Sequence, residues 1–158
     1  MTDSRLKQTP FAGQLDHCKM AKLLGYQLAR ASIPTDRLFK KHIGSSFQLN
    51  KVEFTIVMLV SSNQEVTPKR LSNAINVPSP NLTLILDRLE DQGILVRRRS
   101  TLDRRVQHVT LTRKGSTLAR KADMQSNSME TELLSHLTFA ERAMLFELLE
   151  KVATHRRI

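Results

Sequence analysis

The chain has 158 residues, a formal net charge of +10, one cysteine and no tryptophan. This length suits one compact domain or two small lobes, and the single Cys18 excludes an intramolecular disulfide and fits a reducing compartment. No apolar run approaches the roughly 18 residues that span a membrane, and residues 1–7 lack the apolar core of a secretion signal, so we expect a cytoplasmic protein.

The first predicted element is a long helix over residues 15 to about 43. Pro34 lies inside it, and because proline lacks an N–H donor and clashes with the preceding turn, we expect a kink or break near Ser32–Ile33. The apolar residues of this helix are Leu15, Met20, Leu23, Leu24, Leu28, Leu38, Phe39 and Ile43.

Two helices with well-marked starts come next. Asn50 and Glu53 have the spacing of a capping box, which predicts a helix over residues 50–61. Thr67–Pro68 combines an N-cap residue with a proline at the first helical position, which predicts a second, short helix. The residues of this short helix expected to point inward are Leu71, Ala74 and Ile75.

A turn at residues 76–78 leads into a third helix. We expect Ser79 to be its N-cap and Pro80 its first helical residue. The helix should end at Gln92–Gly93, because glycine adopts the left-handed conformation that closes many helices. The predicted buried face consists of Leu82, Ile85, Leu86 and Leu89.

A basic β-hairpin follows the third helix. Strand-like runs at 94–99 and 106–111 flank a polar tip at 100–105. Residues 67–121 carry twelve Lys or Arg against four Asp or Glu, whereas residues 122–158 carry four against six. A uniformly basic, solvated surface would not concentrate charge in this way, so a phosphate-bearing partner is indicated. Helix, tight turn, helix and basic hairpin together predict a winged helix-turn-helix.

Two further helices are predicted after the hairpin. One follows Gly115 and runs to about residue 136, and a capping box at Thr138 and Glu141 opens the last. Both carry apolar residues that need cover, which either the winged segment of the same chain or a second chain can supply. These apolar residues include Leu118, Ala122, Met129, Leu133, Leu134, Phe139, Met144, Leu145, Leu148, Leu149 and Val152.

Two linked motifs resemble the MarR (multiple antibiotic resistance) family of transcriptional regulators. Asp103-x-Arg105 followed by Leu111-Thr112-x-x-Gly115 is similar to the wing of that family, and residues 86–95 resemble the end of its recognition helix. The resemblance implies a mainly α fold with a small β-hairpin wing: a winged helix-turn-helix flanked by N- and C-terminal dimerisation helices. The corresponding segments are 1–48, N-terminal dimerisation; 49–115, DNA-binding lobe; and 116–158, C-terminal dimerisation.

The resemblance also implies a function. We expect a homodimeric, sequence-specific regulator, most simply a repressor, that acts in the cytoplasm at the nucleoid. Its two recognition helices would contact the half-sites of a pseudo-palindromic operator about one DNA turn apart (~34–36 Å). Double-stranded DNA is then the principal partner.

The exposed face of the third helix is the predicted base-reading element. Asn81 can bond adenine through two hydrogen bonds, and Leu84 can contact the methyl group of thymine, which predicts an A/T-leaning half-site. The alternative is that Leu84 packs against the neighbouring helix and reads nothing. The predicted DNA-facing residues of this helix are Ser79, Asn81, Thr83, Leu84 and Arg88.

The hairpin supplies the other predicted DNA contacts. Arg104 and Arg105 are expected in the minor groove or at phosphates. The family's Asp-x-Arg pairing implies that Asp103 orients Arg105 and does not touch DNA. The remaining cations are either phosphate neighbours or solvated side chains, and they are Lys69, Arg70, Arg97, Arg98, Arg99 and Arg113.

A small-molecule effector is also implied by the resemblance, often an aromatic acid or phenol bound between the dimer helices and the winged lobe. A cationic rim from Arg30 or His42 would favour an anionic ligand. The alternative is ordinary packing or solvated surface. The candidate ligand-binding residues are Tyr26, Arg30, His42, Phe54 and Met58.

Three other functions fit parts of the sequence. Cys18 could sense peroxide if His17 and Lys19 lowered its thiol pKa, although an incidental cysteine is the simpler interpretation. An architectural protein that coats DNA through charge would bind all sequences alike. A winged-helix module for protein partners leaves the charge of residues 67–121 unexplained.

An enzyme is not indicated. The five histidines have no spacing typical of zinc, the glycines form no phosphate loop, and no serine lies in a nucleophile elbow. We therefore expect no catalytic residue, no metal and no cofactor.

Overall fold

The computed structural model describes residues 15–99, 103 and 106–155. A π-helical turn, Lys40–Gly44, joins the first two helices, and one antiparallel pair of strands is present. This mainly α fold with a hairpin confirms the predicted class. The elements are α1 (Leu24–Phe39), α2 (Ser45–Phe47), α3 (Lys51–Ser62), α4 (Pro68–Ile75), α5 (Ser79–Asp91), β1 (Leu95–Arg99), β2 (Gln107–Leu111), α6 (Arg113–Leu133) and α7 (Phe139–Thr154).

The chain forms two compact units that divide between Arg37 and Leu38. In the first unit, the prediction of a helix from residue 15 is wrong, because α1 begins at Leu24 and a turn precedes it. The Asp16 side chain accepts the backbone N–H of Cys18 at 2.8 Å. Such a local side-chain bond offers the backbone an alternative to helix.

Of the kink or break predicted near Ser32–Ile33, the break is absent, since α1 is continuous through Pro34. Proline removes one backbone donor from this turn. The hydroxyls of Ser32 and Thr35 donate to the carbonyls of Ala29 and Ala31, each at 2.8 Å. The two acceptors lie on either side of the Arg30 carbonyl, the one that Pro34 leaves without its helical N–H donor.

The second unit is built around a core shared by α3, α4, α5, the two strands and the start of α6. Its centre is aliphatic, as the low aromatic content requires, and Leu82, Leu86 and Leu89 are each at most 1% exposed. Ala74 is exposed, which corrects its predicted inward position. Burying this apolar surface is the main stabilising contribution to the unit.

Helices with a predicted capping residue start after it with one exception, and the helix predicted to follow Gly115 begins earlier, at Arg113, because Thr112 caps it. Asn50 and Thr138 form complete capping boxes with Glu53 and Glu141, and Thr67 caps α4. The exception is α5, for which Ser79 is not the N-cap.

Pro78 is the N-cap of α5. Its φ and ψ of −55° and 141° are non-helical, and its carbonyl accepts the N–H of Leu82 at 3.0 Å. Ser79 and Pro80 are therefore both already helical. The predicted start is wrong by one residue, because Pro78 itself supplies the extended conformation that precedes a helix.

Helix α7 differs from the other long helix of the second unit, α6, because it contains no buried residue. Phe139 is 89% exposed, and Met144, Phe146, Leu148 and Val152 are each more than half exposed. Among helices of the described residues, none is long and apolar enough to cross a membrane.

Candidate DNA-binding surface

Helix α5 presents one face to the core and the other to solvent. Leu82, Leu86 and Leu89 are buried, and Leu84 between them is 69% exposed. The packing alternative for Leu84 is therefore wrong. The predicted DNA-facing residues of α5 are all exposed: Ser79, Asn81, Thr83, Leu84 and Arg88.

The turn between α4 and α5 fixes the angle between these two helices. Asn76 ends α4 in the left-handed conformation, with φ 52°, which asparagine tolerates better than most residues. The Ser72 hydroxyl donates to the Val77 carbonyl at 2.7 Å and closes the turn. Lys69 and Arg70 are exposed on α4, and the Arg70 guanidinium donates to the Glu65 carbonyl at 2.9 Å.

Helix α5 ends as predicted, in a Schellman motif. Gly93 has φ +67°, its N–H donates to the Glu90 carbonyl at 2.8 Å, and the N–H of Ile94 donates to the Leu89 carbonyl at 2.9 Å. Both bonds satisfy carbonyls that the end of a helix would leave unpaired. The chain then enters β1 directly.

Thr112 and Gly115 join the base of the hairpin to the end of α5. The Thr112 hydroxyl donates to the Gly93 carbonyl at 2.7 Å and accepts the N–H of Gly115 at 3.0 Å. A Cβ on Gly115 would lie only 1.9 Å from the Ile94 carbonyl oxygen. The last position of the Leu-Thr-x-x-Gly motif therefore requires glycine, because any side chain there would clash with the Ile94 carbonyl.

Strands β1 and β2 form the wing. They pair from Leu95↔Leu111 to Arg99↔Gln107, within one residue of the predicted runs. Arg98 and Arg99 are exposed, as are Asp103 before β2 and Arg113 after it. The predicted contacts Arg104 and Arg105 lie outside the described residues.

Arg97 differs from its two neighbours on β1. Its side chain is 20% exposed, and its Nη2 lies 2.6 Å from Glu90 Oε2 and also contacts Asp87 Oδ1. The backbone N–H of Arg97, followed by its guanidinium, holds the pKa of the Glu90 carboxyl below its usual range. This arrangement does not fit the predicted phosphate neighbour or solvated cation, because two carboxylates already surround the guanidinium.

Arg88 is paired as well, with a buried carboxylate. Its Nη1 lies 3.1 Å from Oε1 of Glu53, whose side chain is 1% exposed. The other Glu53 oxygen accepts the N–H of Asn50 in the capping box of α3. Sequence reasoning predicted only the capping role of Glu53. Its ion pair with Arg88 was missed because the two residues are 35 positions apart and no local pattern joins them.

The candidate ligand residues lie in both units. In the first, the Arg30 guanidinium lies 5.9 Å from the centroid of the Tyr26 ring, a cation–π distance. The Tyr26 hydroxyl is hydrogen-bonded to His17 Nδ1.

In the second unit, His42 is held on both ring nitrogens. Nε2 lies 2.7 Å from Glu132 Oε2, and Nδ1 lies 2.9 Å from the amide nitrogen of Gln125. Lys41 Nζ also lies 2.7 Å from Glu132 Oε1. The hydrogen bond from Lys41, and to a smaller extent that from His42, lowers the pKa of the Glu132 carboxyl. The candidate residue His42 thus faces a carboxylate.

The two other candidate ligand residues are half-buried. Phe54 meets Phe39 edge to face, with ring centroids 5.6 Å apart, and Met58 lies one turn further along α3. Across residues 15–99, 103 and 106–155, no group of three His, Cys, Asp or Glu side chains is placed to hold a metal ion.

Cys18 is exposed, and its thiol donates to Asp16 Oδ2 at 3.2 Å. This hydrogen bond, together with the negative charge of Asp16, raises the pKa of the Cys18 thiol. His17, which the sequence suggested as an activating neighbour, is hydrogen-bonded to Tyr26. A raised thiol pKa means less thiolate, and the thiolate is the form that reacts with peroxide.

Comparison with known proteins identifies the family. The sequence profile of the MarR family matches residues 49–106, from the start of α3 into the wing. The HTH-type transcriptional regulator PecS of Dickeya dadantii is 30% identical over 131 residues, which cover 81% of this chain and 78% of PecS. The chain belongs to the MarR family.

Solved structures of DNA complexes show the same fold. The transcriptional repressor CouR bound to a 23-mer DNA duplex is 29% identical, with a TM-score of 0.79 over 89% of this chain and 99% of CouR. A cysteine-to-serine mutant of MarR from E. coli complexed with operator DNA is 27% identical, with a TM-score of 0.76 over 87% of this chain and 99% of that one. The chain is a MarR-type transcriptional regulator with a winged helix-turn-helix.

Proposed function

We propose that this MarR-type regulator is a homodimeric repressor that binds an A/T-leaning, pseudo-palindromic operator. The observation that carries the proposal is the position of Leu84, 69% exposed on a helix whose opposite face is almost fully buried. An exposed leucine on this face of the helix is placed to contact the methyl group of thymine in the major groove. CouR, a repressor bound to DNA, supports the sign of regulation.

The proposed DNA surface combines two elements. On α5 it comprises Ser79, Asn81, Thr83 and Leu84, with Asn81 placed to bond adenine. Lys69 and Arg70 of α4 and Arg98, Arg99 and Arg113 at the wing flank this face and contact phosphates. We also include Arg104 and Arg105, on the sequence motif alone, with Asp103 orienting Arg105.

Dimerisation is proposed from the exposed apolar surface of α7. A face that includes Met144, Leu145, Leu148 and Val152 lies open to solvent, and contiguous exposed apolar surface often marks a protein–protein contact. A second copy of the chain would cover it with the same face, as a two-fold axis requires. The two copies of α5 would then contact half-sites ~34–36 Å apart.

We propose release from DNA by a small anionic aromatic ligand. Within the first unit, Arg30 beside Tyr26 offers a cation and a ring for such a molecule. Benzoate is the probe: it should weaken operator binding by the wild type and less by Arg30→Ala, with Arg37→Ala as control. Equal effects on both variants would remove Arg30 from the ligand site.

The decisive experiment is fluorescence anisotropy with the DNA upstream of the chain's own gene and a shuffled duplex, titrated across salt. A preference of ~10³ or more for the native duplex at physiological salt establishes a specific regulator. If both bind equally, duplexes selected from a random pool decide between another operator and an architectural protein. Absence of binding to either duplex at low salt would disprove DNA binding.

Base reading is tested with Leu84→Ala and Asn81→Ala. Each should lower affinity for the selected operator by about 5- to 150-fold, equivalent to ~1–3 kcal/mol per contact, and leave the shuffled duplex unaffected. Met124→Ala is the matched control, since Met124 is 68% exposed on α6. A G·C-dominated selected site would contradict the proposed specificity.

A further inference from the structure

Arg97 lies where the recognition helix α5 and the wing meet. Its Nε donates to Glu90 Oε2 at 2.8 Å, and its backbone N–H donates to Glu90 Oε1 at 3.0 Å. Both oxygens of one α5 carboxylate are thus bound to a single residue of β1. Asp87, one helical turn earlier, contacts the same guanidinium.

The charge at this junction argues against a phosphate contact by Arg97. Two carboxylates surround one guanidinium, and the lowered pKa of Glu90 keeps that carboxylate ionised at neutral pH. The local charge is then about −1, which repels phosphate. By contrast, Arg98 is exposed, and the described residues supply no ion pair or hydrogen bond to its side chain.

The strand geometry separates the two arginines. Successive side chains of a strand point to opposite faces, so Arg97 and Arg98 point in opposite directions. Arg97 is opposite Val109, which is 1% exposed, and Arg98 is opposite His108. One neighbour therefore faces α5 and the other faces away from it.

We propose that Arg97 is a positioning residue: its bonds to Glu90 and Asp87 hold the wing at a fixed angle to α5, so that both elements meet the same DNA segment. The inference rests on the proposed DNA-binding function. If the wing and α5 moved independently, binding to DNA would cost conformational entropy. Fixing their relative orientation in the free protein removes that entropy cost. The pair therefore contributes to operator affinity without touching DNA.

The test compares Arg97→Gln, Glu90→Gln and Arg98→Gln. Affinity is measured across salt on a duplex that the wild type selects from a random pool and on its shuffled version. We expect Arg98→Gln to weaken both complexes alike and to reduce the slope of log affinity against log salt by about 1. Arg97→Gln should lower affinity for the selected duplex about tenfold or more and leave the slope unchanged.

Glu90→Gln separates positioning from charge. It makes the protein more positive and releases Arg97, so a purely electrostatic effect would tighten DNA binding. Positioning predicts the opposite, a loss similar to that of Arg97→Gln, and no additional loss in the double variant. Arg97→Lys, which keeps one donor to Glu90, should recover part of the affinity. Tighter binding by Glu90→Gln, or a slope reduced by Arg97→Gln, would overturn the proposal.

A measurement without DNA keeps this inference separate from the proposed function. Hydrogen exchange of the β1 and β2 amides should accelerate in Arg97→Gln and Glu90→Gln but not in Arg98→Gln, while the core amides of α5 stay protected. Unchanged exchange in the first two variants would reject the proposal even if no operator were found. A wild type that does not distinguish the two duplexes would instead reject operator recognition.

Discussion

The segment from α3 to β2 and the helix α7 solve the burial of apolar surface in different ways. Each helix of the former buries at least one apolar residue against the others, and Leu71, Leu82, Leu86 and Leu89 are almost fully covered. Helix α7 is similarly rich in apolar residues but buries none. Apolar residues are thus covered within one chain in the first case and left exposed to solvent in the second.

Disrupting the apolar face of α7 should have the largest effect. Leu148→Asp places a carboxylate on a face that includes Leu145 and Val152, and burying an unpaired charge in a dimer interface is costly. We expect the dimer dissociation constant to rise about 30-fold or more, measured by analytical ultracentrifugation, with a parallel loss of operator affinity. Glu150→Ala, on the same helix, is the control. A Leu148→Asp protein that stays dimeric would show that α7 is covered in another way.

Removing Arg88, the partner of Glu53, should lower the stability of the segment from α3 to β2 without affecting α7. Arg88→Ala removes the ion pair of a buried carboxylate that also accepts the N–H of Asn50, and losing a hydrogen bond to a charged group costs about 1.5–3 kcal/mol. Urea unfolding should register this loss equally at low and high protein concentration. Glu53→Gln, which removes the charge and keeps the cap, should cost less. A concentration-dependent loss would mean that Arg88 also supports the dimer.

Gly115→Ala tests the junction between the wing and α6. The added Cβ would meet the Ile94 carbonyl oxygen at 1.9 Å, so the backbone of one element must shift. Such overpacking costs about 1–3 kcal/mol. Thermal unfolding should occur at lower temperature, and Gly25→Ala is a suitable control because nothing lies within 4 Å of a Cβ there. Equal melting temperatures for the two variants would contradict the close approach.

Acid should produce the smallest effect. The folded-state pKa of Glu90 is below its usual value of 4.5, so its pairing with Arg97 stabilises the folded chain above about pH 4.5, and this contribution is lost as pH falls through the folded pKa. Urea unfolding should show that the free energy of unfolding falls less between pH 7 and pH 3 in Arg97→Gln than in Arg98→Gln. Identical declines would remove Glu90 from the acid response.

The sequence determined the local features because their causes lie within a few residues. The capping boxes at Asn50 and Thr138, the left-handed Gly93 and the strands of the wing all follow from backbone preferences and short hydrogen bonds. The apolar spacing of α5 likewise predicted its buried leucines. The start of α1 and the cap of α5 were wrong, because Asp16 and Pro78 provide equally local alternatives.

Only the tertiary structure decided which charges are available. Arg97, Arg98 and Arg99 are alike in sequence, yet Arg97 alone of the three meets Glu90 and Asp87. Arg88 pairs with Glu53 across two helices, and Leu84 proves exposed rather than packed. The physical reason is that pairing and burial depend on which elements meet in space, and composition and periodicity do not specify these long-range contacts.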